Sequence, residues 1–268
     1  MSAIKVQNLT FRYRPDAAVL TDLSFEVPAA GFLGIAGPNG AGKTTLLNLL
    51  AGFLRASEGS ISLDAKELRS YKQRELARKL AIVRQEFVPP FSFSVAETVT
   101  MARLPYLGGM AFEGQADRRV VSEAMEATDT LRFADRSIGQ LSGGERQRVF
   151  IAKALAQDTP ILLLDEPTNF LDLRNQVGIF DLLKQMQLEK GKTLIAVTHD
   201  INLAAQYCDQ MLLLGSDGTS HAGSTDEILT LEAIEKTFGV GGFSARIGRQ
   251  NFFLPLGKMA KDAKLRQE

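Results

Sequence analysis

The chain has 268 residues, of which 45% are hydrophobic and 23% charged, so it has enough apolar residues for a sizeable core. This length suits one large domain or one domain with an inserted lobe. The 31 basic and 31 acidic residues balance, which argues against a surface that coats nucleic acid.

The first part of the chain predicts a small antiparallel sheet. Residues 4–11 and 23–27 alternate apolar and polar side chains, as strands with one buried face do, and a turn at residues 12–16 separates them. Residues 59–63 predict a further strand. Tyr13, in the turn, either packs on a strand edge or offers a flat face to an adenine base.

Residues 37–45, GPNGAGKTT, match the pattern G-x-x-x-x-G-K-[ST] of a phosphate-binding loop. The apolar run before them predicts a buried strand, and the leucines after Lys43 predict an amphipathic helix. In this arrangement backbone N–H groups, the helix N-terminus and the Lys43 ammonium converge on an anion, and the Thr44 hydroxyl is placed to bind Mg²⁺. A glycine-rich turn without a ligand is the alternative, and the strand–loop–helix context disfavours it. We expect the whole loop to contact nucleotide phosphates: Gly37, Pro38, Asn39, Gly40, Ala41, Gly42, Lys43, Thr44 and Thr45.

A mostly helical lobe is predicted for residues 86–158, after a charged helix over 72–80 and a short buried strand over 81–83. Prolines punctuate the lobe, and helices are predicted over 95–103 and 116–128. In the sequence LSGGE, Ser142 precedes two glycines as an N-cap, and a helix N-terminus of this kind binds anions. An ordinary capped helix explains the same residues, and the spacing does not decide between the two.

The apolar run 160–164 predicts a central parallel strand covered on both faces. Asp165 and Glu166 follow it, at the end of the strand where open α/β sheets bind their ligands. We expect Asp165 to hold Mg²⁺ and Glu166 to polarise a water molecule for attack on a phosphate. An acidic helix N-cap is the alternative, and it is disfavoured by the phosphate-binding loop in the same chain.

The rest of the chain predicts helices over 175–188 and 201–207 and strands over 193–197 and 211–214. Strands that alternate with helices indicate a parallel sheet with right-handed crossovers. Two short helices within 224–238, a hairpin of 243–247 with 252–256 and a charged tail from residue 258 follow. His221 lies in a predicted turn region and is given no function.

Two features of the whole chain bear on its location. No apolar run approaches the roughly 20 residues that cross a bilayer, and the N-terminus lacks the pattern of a signal peptide. The single cysteine, Cys208, lies among apolar residues and is predicted to be an inert thiol, which agrees with a reducing compartment. We expect a cytosolic protein that reaches a membrane only through a partner.

Residues 141–147, LSGGERQ, are similar to the signature of the ATP-binding cassette ATPases. The other motifs of that family occur in its order: the phosphate-binding loop, Gln85, the strand with Asp165-Glu166, the turn 169–172 and His199. The resemblance runs from about residue 4 to residue 238. It implies an α/β fold: a P-loop NTPase core with a mostly parallel central sheet, an N-terminal antiparallel β-subdomain and an inserted helical subdomain. Within one cassette domain the core is then 1–85 and 159–240, the helical part 86–158, and the C-terminal hairpin and tail 241–268.

The resemblance also implies a mechanism in which two copies meet head to tail and enclose two ATP molecules with Mg²⁺. Each site joins the loop of one copy to the LSGGE helix of the other. The family pattern assigns roles to residues beyond the loop: adenine stacking to Tyr13, Mg²⁺ and the attacking water to Gln85, the partner's γ-phosphate to Ser142, Gly143, Gly144 and Glu145, coupling of the two sites to Asp172, and the γ-phosphate to His199.

Segments 101–106 (MARLPY), 169–176, 225–230 and 238–240 resemble ATPases of siderophore, haem and cobalamin uptake. This implies an ATP-hydrolysing subunit, bound through a separate transmembrane permease to the cytoplasmic face of the inner or plasma membrane and working indirectly with a substrate-binding protein. Alternatives are a soluble cassette ATPase acting on DNA, ribosomes or cluster assembly, a transporter of another solute, and an ATP-gated binding module. The balanced charge, the single cassette and the lack of a coiled-coil insertion count against the first alternative, and no nucleic-acid partner is expected. Glu166 and His199 together count against the last alternative.

Overall fold

The computed structural model describes residues 2–84, 93–107, 114–169, 171–248 and 250–257. Its strands are β1 (Ser2–Arg14), β2 (Ala17–Pro28), β3 (Phe32–Ala36), β4 (Glu58–Leu63), β5 (Lys66–Glu67), β6 (Leu80–Val83), β7 (Ile161–Asp165), β8 (Thr193–Val197), β9 (Gln210–Leu214), β10 (Ser220–Ser224), β11 (Gly242–Ile247) and β12 (Gln250–Pro255). Its α-helices are α1 (Lys43–Leu50), α2 (Gln73–Leu76), α3 (Val95–Thr100), α4 (Gln115–Ala127), α5 (Gly143–Ala156), α6 (Leu173–Lys190), α7 (Ile201–Tyr207), α8 (Thr225–Ile228) and α9 (Leu231–Phe238).

The central sheet has the spatial order β10-β9-β3-β8-β7-β6. Its pairs are parallel except at the edge, where β10 pairs antiparallel with β9. Every residue of β3, β7 and β8 is buried, which explains their continuous apolar sequences. Because β3, β8 and β7 are neighbours and parallel, the segments that follow them meet at one edge of the sheet.

A second sheet has the order β2-β1-β4-β5 and is antiparallel throughout. Its buried side chains, such as Ile4 and Leu9, share one core with Leu33 of the central sheet and Leu46 of α1. The opposite face of the central sheet packs on α6 and α7 through residues such as Phe180. The predicted α/β core with an antiparallel N-terminal part is therefore confirmed.

Helices α3, α4 and α5 pack around a separate apolar core that includes Val99, Met125 and Val149. This is the predicted helical lobe, although its division from the core at residues 85/86 and 158/159 stays a prediction. No helix in the described ranges is both long enough and apolar enough to cross a membrane.

A group of contacts, which we call the lobe latch, joins this lobe to the core. The carbonyl oxygen of Pro105 accepts hydrogen bonds from the guanidinium groups of Arg74 and Arg78, each at 2.9 Å. The guanidinium carbons of Arg78 and Arg103 lie 5.3 Å and 4.1 Å from the centre of the Tyr106 ring. Arg103 in turn donates to the carbonyl oxygen of Ala156, the last residue of α5, at 2.9 Å.

Several predicted boundaries are wrong. The charged segment 72–80 is helical only over Gln73–Leu76, because Leu80 already extends to pair with Ile161 in the sheet. Residues 12–14 belong to β1 rather than to a turn, since Arg12 and Arg14 pair with residues of β2.

The C-terminal part contains one strand that the sequence did not suggest. His221 lies on β10 opposite Leu213, not in a turn, and this short edge strand lacks the apolar alternation that identifies strands. The predicted hairpin is confirmed as β11 and β12, with the second strand starting at Gln250. The predicted charged tail from residue 258 lies outside the described residues.

Candidate functional site

The phosphate-binding loop runs from the end of β3 to the start of α1, as its pattern predicts. Two of its glycines are required by the backbone. A Cβ at position 37 would lie 2.2 Å from the carbonyl oxygen of Leu214, and Gly42 has a left-handed φ of 90°. The loop is thus held against β9 on one side and leads directly into the helix on the other.

The Lys43 ammonium lies inside this loop. Its Nζ donates to the carbonyl oxygens of Gly37 and Pro38, both at 2.8 Å. Burial lowers the pKa of Lys43, while the negative charges of Glu166 and Asp165 oppose that shift. Because these two carbonyl partners are neutral, the buried ammonium is well placed to exchange them for phosphate oxygens.

Asp165 ends β7 and faces the loop. Its Oδ1 accepts a hydrogen bond from the Thr44 hydroxyl at 3.3 Å. Burial raises the pKa of Asp165, and the Thr44 bond opposes this. A hydroxyl and a carboxylate are ligands that Mg²⁺ prefers, so the residues fit this ion. The described residues contain no cluster of three or more His, Cys, Asp or Glu that could hold a metal.

Glu166 is buried beside Asp165 and has a left-handed φ of 50°, which is unusual for a side chain of this size. Its backbone N–H donates to the carbonyl oxygen of Val197 at 3.1 Å. Its Oε1 lies 2.6 Å from Nε2 of His199, and its Oε2 accepts from the side-chain amide of Asn169. Asn169 has no role among the sequence predictions, although it begins the turn 169–172 that matches the family pattern and lies three residues after the predicted base.

Tyr13, at the end of β1, is 62% exposed. Its hydroxyl lies 3.3 Å from the hydroxyl of Thr45, and its ring meets Phe11 edge to face at 4.8 Å. Both uses considered for Tyr13 are therefore compatible with its position, since it packs on a strand neighbour and still presents surface beside the loop.

These groups line an open cleft of about 570 Å³, a usual size for a small-molecule site. The lining residues are Tyr13, Val19, Asn39, Gly40, Gly42, Lys43, Thr44, Thr45, Glu166, Asn169 and His199. A second cavity, of about 300 Å³, lies beside α1 and α2, and the predicted site residues are not among those that line it. The chemistry of the side chains makes the first cleft the candidate site.

The LSGGE segment lies outside that cleft. Ser142 caps α5: its hydroxyl accepts from the Glu145 backbone at 3.3 Å, and the Glu145 carboxylate accepts from the Ser142 backbone N–H at 2.9 Å. These bonds from Ser142 lower the pKa of Glu145. A Cβ on Gly143 would meet no atom within 4 Å, so the helix start is open to another molecule.

One further predicted residue, Asp172, is also not brought into the cleft. Asp172 is exposed and caps α6, where its Oδ1 accepts from the backbone N–H of Asn175 at 2.8 Å. Gln85 lies outside the described residues. The structure thus unites the loop, Asp165, Glu166, His199 and Tyr13, and leaves Ser142–Glu145 and Asp172 elsewhere on the same chain.

A phosphate-binding loop between a central parallel strand and a helix, with a paired aspartate and glutamate on the adjacent edge, defines a P-loop nucleotide-binding protein. Residues 20–169 match the ABC transporter family. The chain is 37% identical to the ferric enterobactin transport ATP-binding protein FepC of Escherichia coli (strain K12), over 90% of this chain and 88% of FepC. It is 41% identical to the hemin import ATP-binding protein HmuV of Pseudomonas entomophila (strain L48), over 85% of this chain and 89% of HmuV.

A third relative, the uncharacterized ABC transporter ATP-binding protein YvrA of Bacillus subtilis (strain 168), is 41% identical over 88% of this chain. The chain spans only 53% of the length of that protein. Among solved structures, an inward-facing metal-chelate type ABC transporter is similar with a TM-score of 0.84 and 32% identity, over 96% of this chain and 99% of that one. The dimeric bacterial ABC transporter cassette MJ0796 is similar with a TM-score of 0.73 and 31% identity, over 83% and 98%. The chain belongs to the ABC transporter family and is one of its ATPases.

Proposed function

We propose that the chain is the ATP-hydrolysing subunit of an importer that carries a metal chelate through a separate transmembrane permease. The observation that carries the ATPase part is the convergence of Lys43, Glu166 and His199 on one cleft beside the phosphate-binding loop. Asp165 accepts a hydrogen bond from Thr44 in the lining of that cleft. The cargo class is supported by the relatives named for ferric enterobactin and hemin, and by the metal-chelate type transporter among the solved structures.

Within the cleft, the loop N–H groups and Lys43 bind the phosphates of ATP, and Tyr13 stacks on the adenine. Thr44 and Asp165 hold Mg²⁺, with Gln85 as a further ligand. When bound, the ion neutralises charge on the outer phosphate oxygens. Glu166 accepts the proton of the attacking water, because its carboxylate is fixed at the edge of the cleft. His199 holds the γ-phosphate, and to do so it gives up the contact that it now makes with Glu166.

The second half of each site comes from another copy of the chain, in a head-to-tail homodimer. Ser142–Glu145 lie outside their own chain's cleft, yet they form a helix N-terminus with an open approach at Gly143. Such a terminus stabilises a phosphate through its dipole and free N–H groups. The dimeric cassette among the similar structures supports this arrangement. Asp172, the N-cap residue of α6, helps to couple the two sites.

The partners of this dimer are permease subunits and, indirectly, a substrate-binding protein that delivers an iron–siderophore, haem or cobalamin. The dimer is peripheral and sits on the cytoplasmic face of the membrane through the permease. No nucleic acid takes part. Co-purification from detergent-solubilised membranes tests this: we expect a permease to be retained and identified by mass spectrometry. Recovery without membrane proteins, and with nucleic acid bound, would favour the soluble cassette ATPase instead.

The Glu166→Gln variant tests the catalytic assignment. We expect ATP binding to persist and phosphate release to fall by at least about 100-fold, the usual contribution of a general base. Because ATP then stays intact, closed dimers should accumulate, which size-exclusion chromatography with ATP would show.

The matched control is Glu123→Gln, which changes an exposed carboxylate on α4 that pairs only with Arg119 in the ion pairs of the described residues. Its phosphate release should equal that of the unmodified protein. A wild-type rate in Glu166→Gln would contradict the assignment of the base.

A further inference from the structure

The carboxylate of Glu166 is held from two directions by residues of two different segments. His199, after β8, contacts Oε1 at 2.6 Å, and the Asn169 amide, in the loop after β7, donates to Oε2. The carboxylate is also buried, at 8% exposure. Its two oxygens therefore have distinct partners, which fixes the plane of the group.

The same asparagine also closes the turn that Glu166 begins. The backbone N–H of Asn169 donates to the carbonyl oxygen of Glu166 at 3.2 Å. Glu166 has a φ of 50°, a conformation that persists at a non-glycine residue only when its surroundings hold it. One residue thus secures both the strained backbone of Glu166 and one oxygen of its side chain.

We propose that Asn169 is a positioning residue that aims the Glu166 carboxylate at the attacking water. The inference rests on the proposed function, in which Glu166 is the base and His199 turns to the γ-phosphate. When His199 makes that exchange, Oε1 takes the water as its new partner. Asn169 keeps its bond to Oε2, so the carboxylate stays in the same plane instead of rotating with the histidine.

The chemistry of an amide suits this task. It donates a hydrogen bond without a charge of its own, and it therefore holds a carboxylate without neutralising it. An aspartate in its place would have nearly the same shape but would offer only acceptor oxygens and a like charge. A packing role and a positioning role for residue 169 consequently predict opposite results for that substitution.

The test uses the full chain with Asn169→Asp and Asn169→Ala, assayed for steady-state ATP hydrolysis and for equilibrium ATP binding. We expect kcat to fall at least roughly tenfold in both, the effect of losing one hydrogen bond to a charged group. The KM for ATP should stay within about twofold of the unmodified value, because the loop makes the phosphate contacts.

The matched control is Gln176→Ala. It removes another amide of the same region, which donates to the carbonyl oxygen of Thr168 at 3.4 Å and not to Glu166. Its kcat should stay within about twofold of the unmodified value. If Asn169→Ala does not fold, the isosteric Asn169→Asp decides alone.

Wild-type kcat in Asn169→Asp overturns the proposal, as does a loss confined to KM, which would place Asn169 in nucleotide binding. Glu166→Gln is assayed beside these variants. Persistent hydrolysis in Glu166→Gln refutes the proposed function itself. An inactive Glu166→Gln with a fully active Asn169→Asp refutes only the role of Asn169.

Discussion

The cleft beside the phosphate-binding loop and the start of α5 are both anion-binding structures, yet they are built in opposite ways. In the cleft, Lys43, Asp165 and Glu166 are buried. Asp165 and Glu166 are each held by a side chain from a distant part of the chain, and Lys43 bonds carbonyl oxygens of its own loop. At the start of α5, Ser142 and Gly143 are exposed, and the bonds of Ser142 run to Glu145 and Arg146 in the first turn of the same helix.

The two halves therefore depend on different levels of structure. The cleft depends on tertiary structure, because three parallel strands must be aligned before its groups can meet. The start of α5 is a local capping box, and such a structure forms within one helical turn. A half-site that is locally complete and outwardly exposed is suited to serve a second molecule. Substitutions in each half, and in the contacts that link them, test this difference.

The largest effect is expected from Ser142→Arg at the exposed half. The arginine removes the cap and fills the space that the partner's phosphate needs, so hydrolysis should fall by at least about 100-fold, as when an oxyanion-type contact is lost. ATP affinity of the isolated monomer should be unchanged, because the cleft lies elsewhere on the chain. Phosphate release and equilibrium nucleotide binding measure the two quantities.

Ser70→Arg is the control, an exposed serine after β5 whose hydroxyl bonds the Glu67 carbonyl. It should hydrolyse ATP normally. An equal loss of monomer affinity in Ser142→Arg would show that the two halves belong to one site on one chain, contrary to the comparison.

The sequence predicted which residues meet in the cleft, but it did not predict the contact between Asn169 and Glu166. The two features arise in different ways. The loop is a local pattern, and parallel strands bring Asp165, Glu166 and His199 to one edge whatever the loops between them do. The Asn169 contact depends on the left-handed turn at Glu166, which a tertiary hydrogen bond to Val197 stabilises, so no local pattern reveals it. The same holds for the fold: the shortened α2 and the edge strand β10 are both set by pairing within sheets.

A smaller effect, on stability, is expected from Asp165→Asn in the buried half. Burial raises the pKa of Asp165 above its value in the unfolded chain. Its contribution to stability is therefore full below the unfolded pKa of about 3.9 and is lost as pH rises through the raised folded-state pKa. At pH 7 the buried carboxylate destabilises the nucleotide-free fold, and asparagine removes that cost while keeping an acceptor for Thr44.

We expect the Tm of nucleotide-free Asp165→Asn to exceed that of the unmodified protein by about 2 °C at pH 7, the shift that roughly 1 kcal/mol gives in a chain of this size. The difference should shrink at pH 4, because the raised pKa leaves a larger share of the native carboxyl protonated there than at pH 7. Differential scanning fluorimetry at both pH values measures it, and ATP hydrolysis should be lost with the Mg²⁺ ligand. A lower Tm at pH 7, or the same gain at both pH values, would contradict the claim that the buried Asp165 carboxylate destabilises the nucleotide-free fold.

The smallest effect is expected from the lobe latch, which links the two halves without belonging to either. In the double variant Arg74→Ala with Arg78→Ala, the Pro105 carbonyl loses both of its guanidinium donors. Because Arg103 connects Tyr106 to the end of α5, the position of that helix relative to the core becomes less well defined. Monomer ATP affinity should stay the same, and kcat should fall by roughly threefold. A threefold change corresponds to about 0.6 kcal/mol, which lies within the range for one net hydrogen bond.

Arg119→Ala is the control for the latch, since this arginine is 82% exposed on α4 and pairs with Glu123 one turn away. Its kcat should match that of the unmodified protein. If the double variant also keeps its kcat, then the apolar packing of the lobe alone fixes α5 on the core, and the two halves are held in register by burial. If its ATP affinity falls instead, the lobe latch acts on the cleft. The cleft and the start of α5 would then not be independent of each other.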